Sequence, residues 1–108
     1  MAQDALQGSL PLLVLTILAR RGPLHGYALA TQIEGSSEDV LSVEEGSLYP
    51  ALHRMEEAGW LTSSWGESAS RRRARYYRLT AAGRRRLAAE TAEWGRVSQA
   101  VRLVLRTT

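Results

Sequence analysis

The chain has 108 residues, 44% of them hydrophobic, which is enough for one folded domain around a single core. It contains no cysteine and two histidines, so it offers too few ligands for a structural zinc site and no thiol for redox chemistry. No apolar run is long enough to span a bilayer, and the N-terminus lacks the basic start of a signal peptide. We therefore expect a cytoplasmic protein that uses no metal or other cofactor.

The net charge of +3 conceals an uneven distribution of charged residues. Every basic residue is arginine. Residues 68–86 contain eight arginines and no acid, whereas the rest of the chain contains six arginines and all eleven acids. A dense cationic segment on a neutral-to-acidic body indicates contact with a polyanion. A solvated surface loop is the alternative interpretation, and charge alone leaves both open.

The first predicted helix covers about residues 6–20 and is apolar around nearly its whole circumference. Val14 and Leu18 belong to its main stripe, whereas Leu12 and Leu15 fall on the other side. A helix of this kind is buried on two sides. In so short a chain, we predict that Leu12 and Leu15 contact a partner subunit.

The segment that follows reads as a short helix and a polar loop. A helix is predicted over about residues 25–33, with Tyr27, Leu29 and Ile33 available for the core. A polar loop follows it, and Val40–Leu41 is predicted to form a minimal strand.

Ser42 and Glu45 have the spacing of a capping box, which predicts a third helix that ends at about residue 58. Pro50 lies inside this segment, where a proline removes a backbone donor and clashes with the preceding turn. The helix therefore either bends at Pro50 or begins nearer Ser47, and the sequence leaves both alternatives open.

Two segments have the alternation and aromatic content of paired antiparallel strands. They are Trp60–Trp65 and Arg75–Thr80, and a loop rich in serine and arginine, Gly66–Ala74, joins them. This arrangement predicts a β-hairpin with a long basic loop.

The last predicted helix covers about residues 81–106 and is capped by Thr80. Its apolar residues approximate a heptad seam, which has little left to pack against within one small domain. We therefore predict that this helix forms the dimer interface. The predicted contacts are Leu87, Trp94, Val97, Val101, Val104 and Leu105.

The order of these elements predicts a mainly α (α+β) fold, a winged helix-turn-helix at residues 1–80 followed by a long C-terminal dimerisation helix at residues 81–108. The third helix has the width of the DNA major groove, and the arginines of the hairpin suit phosphates or a narrow minor groove. The predicted DNA contacts are Ser47, Tyr49, Pro50, His53 and Arg54 on the third helix and Arg71, Arg72, Arg73 and Arg75 in the hairpin.

Each assignment has an alternative. Tyr49 could be a packing residue, His53 a solvated surface histidine, and Arg54 the partner of Glu56 or Glu57 on its own helix. An enzyme is disfavoured because no catalytic triad pattern or phosphate-binding glycine loop occurs. A winged helix that mediates protein contacts is the more serious rival, since a fold does not fix a function.

Three sequence blocks carry a resemblance to a known family. Residues 22–27 (GPLHGY), 45–56 (EGSLYPALHRME) and 72–80 (RRARYYRLT) resemble the signature blocks of the PadR family of bacterial transcriptional regulators. The length resembles the compact subgroup with one C-terminal helix. Residues 6–10 and 65–68 also resemble an acidobacterial-type branch of the family.

The resemblance implies a homodimeric repressor that binds an inverted repeat in double-stranded DNA. It also implies a small planar aromatic effector, because some compact members bind such compounds between paired tryptophans, and Trp94 falls at that place. An indole face attracts aromatic cations, so this use of Trp94 is chemically reasonable. An anchor of the dimer interface is the simpler role for the same side chain.

Overall fold

The computed structural model describes the backbone of residues 2–106 and the side chains of residues 8–106. Its elements are α1 (Ala2–Arg21), β1 (Leu24–His25), α2 (Gly26–Ser36), α3 (Glu45–Glu57), β2 (Leu61–Glu67), β3 (Arg73–Leu79) and α4 (Ala81–Arg106). The strands form one antiparallel sheet in the order β1-β3-β2. This confirms the predicted winged helix-turn-helix with a long last helix. None of the described helices is long and apolar enough to cross a membrane.

Helix α1 is the centre of the monomer, because it contacts α2, α3, α4 and β3. This explains why it is apolar on all sides. The placement of Leu15 at a subunit interface is therefore corrected: its side chain is fully buried in the monomer's own core, beside Val14 and Leu18. Leu12 is half-buried and keeps part of its side chain in solvent.

The small third strand is not where the sequence predicts it. Val40 lies in a turn, directly after Glu38 and Asp39, which both have positive φ (52° and 64°). Such a turn cannot hold an extended strand. Instead Leu24 and His25 pair with β3. A two-residue strand has no periodicity of its own, and it exists here because β3 offers a free edge.

Helix α3 begins at Glu45 with Glu44 as its N-cap residue, so the predicted capping box at Ser42 is wrong. The chain before the helix is instead held by a longer-range bond. The Val43 N–H donates to the carboxylate of Glu34 on α2 over 2.9 Å, and the Val43 side chain is buried. Pro50 lies within the helix, so the alternative in which the helix begins nearer Ser47 is wrong.

The β2–β3 hairpin extends further than predicted. Glu67 pairs with Arg73, which leaves only residues 68–72 as its loop. We call the hairpin, residues 61–79, the wing. Two backbone bonds close its tip, from the Ser68 N–H to the Arg72 carbonyl (2.8 Å) and from the Arg71 N–H to the Ser68 carbonyl (2.9 Å).

Helix α4 has the predicted bounds and the predicted cap. The Thr80 Oγ1 accepts a hydrogen bond from the Gly83 N–H over 2.9 Å. Gly83 is buried against the backbone carbonyl of Trp60, where a Cβ would clash. Leu87 is partly buried against the monomer's core, so this predicted dimer contact already has an intramolecular one. The first turns of α4 are thereby fixed to the body.

Candidate nucleic-acid interface

Helix α3 presents two different faces. Leu48, Ala51, Leu52 and Met55 are buried and hold the helix against the core. The predicted DNA contacts lie on the remaining surface: Tyr49, Pro50, His53 and Arg54 are exposed and Ser47 is half-buried. The structure therefore brings these five residues onto the solvent side of one rigid helix.

Tyr49 both packs and remains accessible. Its side chain is 43% exposed, while its ring lies on the backbone of Gly26. A Cβ on Gly26 would lie only 2.6–2.8 Å from the hydroxyl and ring atoms of Tyr49. The glycine at the start of α2 therefore fixes the place of an exposed tyrosine on α3.

The two basic residues of α3 have different surroundings. His53 Nε2 lies 3.6 Å from Glu57 Oε1, and both side chains are exposed. The proposed pairing of Arg54 with Glu56 or Glu57 is not among the ion pairs of the described residues. Arg54 instead borders a cavity of about 180 Å³ together with Ser47 and Pro50.

The wing carries its cations at the tip and along β3. Arg71, Arg72 and Arg73 are all exposed, and Arg71 has a positive φ of 62° that shapes the tip. The Arg73 guanidinium carbon lies 4.5 Å from the centre of the Trp65 ring, which is cation–π geometry. Trp65 is not among the sequence-predicted contacts. It lies opposite Arg75 in the strand register, and this pairing is the signal that could have placed Trp65 beside the arginines.

Arg75 differs from its neighbours in the wing. Its Nε donates to Ser63 Oγ over 2.7 Å, and the same hydroxyl donates to Glu56 Oε2 over 2.6 Å. A terminal nitrogen of Arg75 also lies 3.5 Å from Glu56 Oε2. Arg75 is thus tied to α3 through Glu56, whereas its predicted role is contact with DNA.

Tyr77 lies beneath this group and is buried. Burial raises the pKa of the Tyr77 phenol above its usual value; the nearby Arg75 lowers it, and Glu56 and Tyr49 raise it. Tyr77 is therefore neutral at physiological pH.

A cleft of about 850 Å³ separates α2 from the wing, and we call it the wing cleft. Its lining includes Tyr27, Tyr49, Trp65, Arg72 and Arg73. Tyr27 is 74% exposed, so its predicted place in the core is wrong. The first turn of α2 directs it outward. The cleft combines aromatic surfaces with guanidinium groups and contains no acidic side chain among its described lining residues.

His25 organises one wall of the wing cleft. Its Nδ1 accepts a hydrogen bond from the Ala28 N–H over 3.2 Å and so caps α2. Because Nδ1 is the acceptor, the neutral ring carries its proton on Nε2. The ring also lies 5.4 Å from that of Tyr76, in edge-to-face geometry.

The far part of α4 carries a second surface, made of exposed apolar side chains. Trp94, Val97, Val101, Val104 and Leu105 are 42–72% exposed. These residues are among the predicted dimer contacts, and they recur along one side of the helix.

Potential metal ligands are scattered. Among the described side chains of residues 8–106, no three histidine or acidic groups lie close enough together to hold a metal ion.

A three-stranded sheet, an exposed third helix and an arginine-rich wing define a winged-helix DNA-binding protein. Residues 14–89 match the model of the Transcriptional regulator PadR-like family. The chain belongs to this family, and it is a DNA-binding transcriptional regulator rather than an enzyme.

Solved structures of similar proteins agree with this identification. A PadR family transcriptional regulator from Eggerthella lenta is 33% identical with a TM-score of 0.83, over the whole of this chain and 91% of that one. A PadR-like transcriptional regulator from Bacillus cereus is 28% identical with a TM-score of 0.81, over 97% and 99% of the two chains. In a comparison of sequences alone, an uncharacterised protein from Lysinibacillus sphaericus is 22% identical over 94% of this chain and 93% of its own.

Proposed function

We propose that the protein is a homodimeric repressor that binds an inverted-repeat operator through α3 and the wing. The observation that carries this proposal is the position of the wing cleft, which has Tyr49 of α3 on one side and the wing arginines on the other. A helix in the major groove and a wing at the adjacent minor groove would use both sides at once.

The two sides have different tasks. Ser47, Tyr49, Pro50, His53 and Arg54 are proposed to contact base edges or the phosphates beside them. Arg71, Arg72 and Arg73 are proposed to contact phosphates, which positions the protein and carries little sequence information.

The wing cleft is proposed to hold one DNA strand. The major and minor grooves are separated by a sugar-phosphate backbone, so a helix in one groove and a wing in the next must have that backbone between them. Arg72 and Arg73 supply positive charge for its phosphates. Tyr27 and Trp65 present ring faces for its sugars, which adds both residues to the proposed DNA contacts.

The dimer is proposed to form through α4. The apolar surface around Trp94, Val97 and Val101 is costly to expose to water, and a second copy of the same helix is an occupant that matches it. A twofold dimer places two α3 helices in successive major grooves, about 34–36 Å apart, on an inverted repeat. Repression is what the family resemblance implies for such a dimer.

A planar aromatic effector at Trp94 is a second proposal. The side chain is 55% exposed in the monomer, and a Cβ on the adjacent Gly95 would meet open space. In a dimer, paired indoles could stack on a flat cation. Tryptophan fluorescence titrated with a panel of planar cations tests this, and a Trp94→Phe variant serves as control because Trp60 and Trp65 also emit. A response that is equal in the two proteins contradicts the proposal.

Titration of the purified protein against duplex DNA from its own upstream region, at several salt concentrations, tests the main proposal. We expect tight binding to one palindromic segment and an affinity that falls steeply with salt. Binding no tighter than to random duplex would contradict operator recognition there and favour a protein-interaction module.

A further inference from the structure

Three residues from three elements meet between α3 and the wing. Glu56 lies in the last turn of α3, Ser63 on β2 and Arg75 on β3. The Ser63 hydroxyl accepts from Arg75 Nε (2.7 Å) and donates to Glu56 Oε2 (2.6 Å), so its one proton and an oxygen lone pair are both used. A terminal nitrogen of Arg75 also lies 3.5 Å from Glu56 Oε2, so each of the three side chains contacts the other two.

We propose that Glu56, Ser63 and Arg75 form a brace that sets the position of the wing relative to α3. Arg75 also lines the wing cleft. On this proposal its guanidinium is held by Ser63 and Glu56, so Arg75 is a positioning residue and does not contact phosphate. The inference rests on the proposed function, because it assumes that α3 and the wing bind the same DNA molecule.

The geometry of the sheet supports this role. Beyond Ser63, the two wing strands run out from the body towards the tip at residues 68–72, and Arg71 and Arg72 are exposed there. A small rotation of the strands near Ser63 would displace the tip over a longer distance. A hydrogen-bonded network at that point limits such rotation before DNA arrives, and therefore reduces the ordering cost of binding.

The two possible roles of Arg75, phosphate contact and brace, predict opposite effects when the negative charge of Glu56 is removed. If Arg75 contacts phosphate, Glu56 is an unfavourable neighbour that competes for its guanidinium and repels DNA. Removal of Glu56 should then leave affinity unchanged or raise it. If the three residues form a brace, the same removal loosens the wing and weakens binding, although the protein loses a negative charge.

The experiment uses the full chain and an operator duplex, with affinity measured at several salt concentrations. Ser63→Ala breaks the brace without changing charge, and Ser64→Ala is its matched control, since Ser64 is exposed and points to the opposite face of β2. Glu56→Gln and Arg75→Gln complete the set, and circular dichroism checks that each variant is folded.

We expect Ser63→Ala and Glu56→Gln each to weaken binding by about two- to tenfold, the range for loss of one or two hydrogen bonds. Ser64→Ala should have no effect. Arg75→Gln should weaken binding at an unchanged salt slope, and it should add nothing when Ser63→Ala and Glu56→Gln are already present.

Three results would overturn the brace. They are unchanged or tighter binding by Glu56→Gln, a full additional loss from Arg75→Gln in the combined variant, and a salt slope flattened by about 0.9 for each Arg75 removed. Arg72→Ala in the same assay reports on the proposed function separately, because a wing that does not touch DNA would leave both its affinity and its slope unchanged.

Discussion

The ring of Tyr49 lies on the backbone of Gly26, with its hydroxyl 2.6 Å from the place where a Cβ would stand. This contact joins the start of α2 to the exposed face of α3. It also means that a glycine on one element determines where a proposed DNA contact on another element can lie.

Gly26→Ala should therefore move Tyr49 or strain the helix pair. We expect a loss of about 1–3 kcal/mol in the free energy of unfolding, as for other overpacked sites, together with weaker DNA binding. Chemical denaturation measures the first effect. Gly35→Ala, with open space around its Cβ, is the control and should be neutral or slightly stabilising. In a Tyr49→Ala background the loss from Gly26→Ala should disappear, and its persistence there would show that Tyr49 is not the cause.

Leu15 belongs to the core of one monomer, and its substitution tests that placement. Leu15→Ala should lower the free energy of unfolding by about 2–5 kcal/mol, the usual range for a fully buried leucine. The dissociation constant of the dimer should not change, as measured by analytical ultracentrifugation. Leu12→Ala, at a half-buried position, should cost clearly less stability. A dimer weakened by Leu15→Ala at unchanged monomer stability would restore the interface assignment.

Some parts of the fold could be predicted from the sequence and others could not. Helix α4 was predictable from end to end, because Thr80 caps it and its pattern is long. Strand β1 was not, because Leu24 and His25 are extended only through their pairing with β3. Leu15 was misplaced because a helix that is apolar on all sides is expected to be buried on all sides. The pattern does not say whether the residues that bury it belong to the same chain or to a partner subunit.

The candidate site shows the same division. The exposed face of α3 follows from helical spacing, so its five predicted DNA contacts share one surface. The ties of Arg75 to Ser63 and Glu56 depend on a strand register and a helix end that are far apart in sequence. Composition shows how many arginines the wing has but cannot show which of them already bonds to other residues of the chain.

The dimer proposal predicts that one added charge on α4 separates the subunits. Val101→Glu places a carboxylate in the apolar surface and should shift the protein from dimer to monomer at micromolar concentration. Gln99→Glu adds the same charge on the opposite side of the helix and should leave the dimer intact. Ultracentrifugation of both variants makes the comparison. A Val101→Glu protein that sediments as wild type would contradict the proposed interface.

The wing arginines should act through charge. Replacement of Arg71, Arg72 and Arg73 by alanine should weaken binding to operator and random duplex by similar factors. It should also flatten the slope of log affinity against log salt by about 0.9 for each phosphate that the protein no longer neutralises. Arg102→Ala, which removes a charge from the far part of α4, should change neither quantity much. Equal slopes in wild type and wing variant would remove the wing from the interface.

The DNA specificity of an α3 variant tests operator recognition by this helix most directly. Arg54→Ala should lower affinity for the operator by about 1–3 kcal/mol while affinity for random duplex falls much less, so that the ratio of the two affinities drops. Fluorescence anisotropy with both duplexes at one fixed salt concentration measures this ratio. A ratio equal to that of the wild type, for Arg54→Ala and likewise for His53→Ala and Tyr49→Ala, would contradict the claim that the exposed face of α3 recognises the operator.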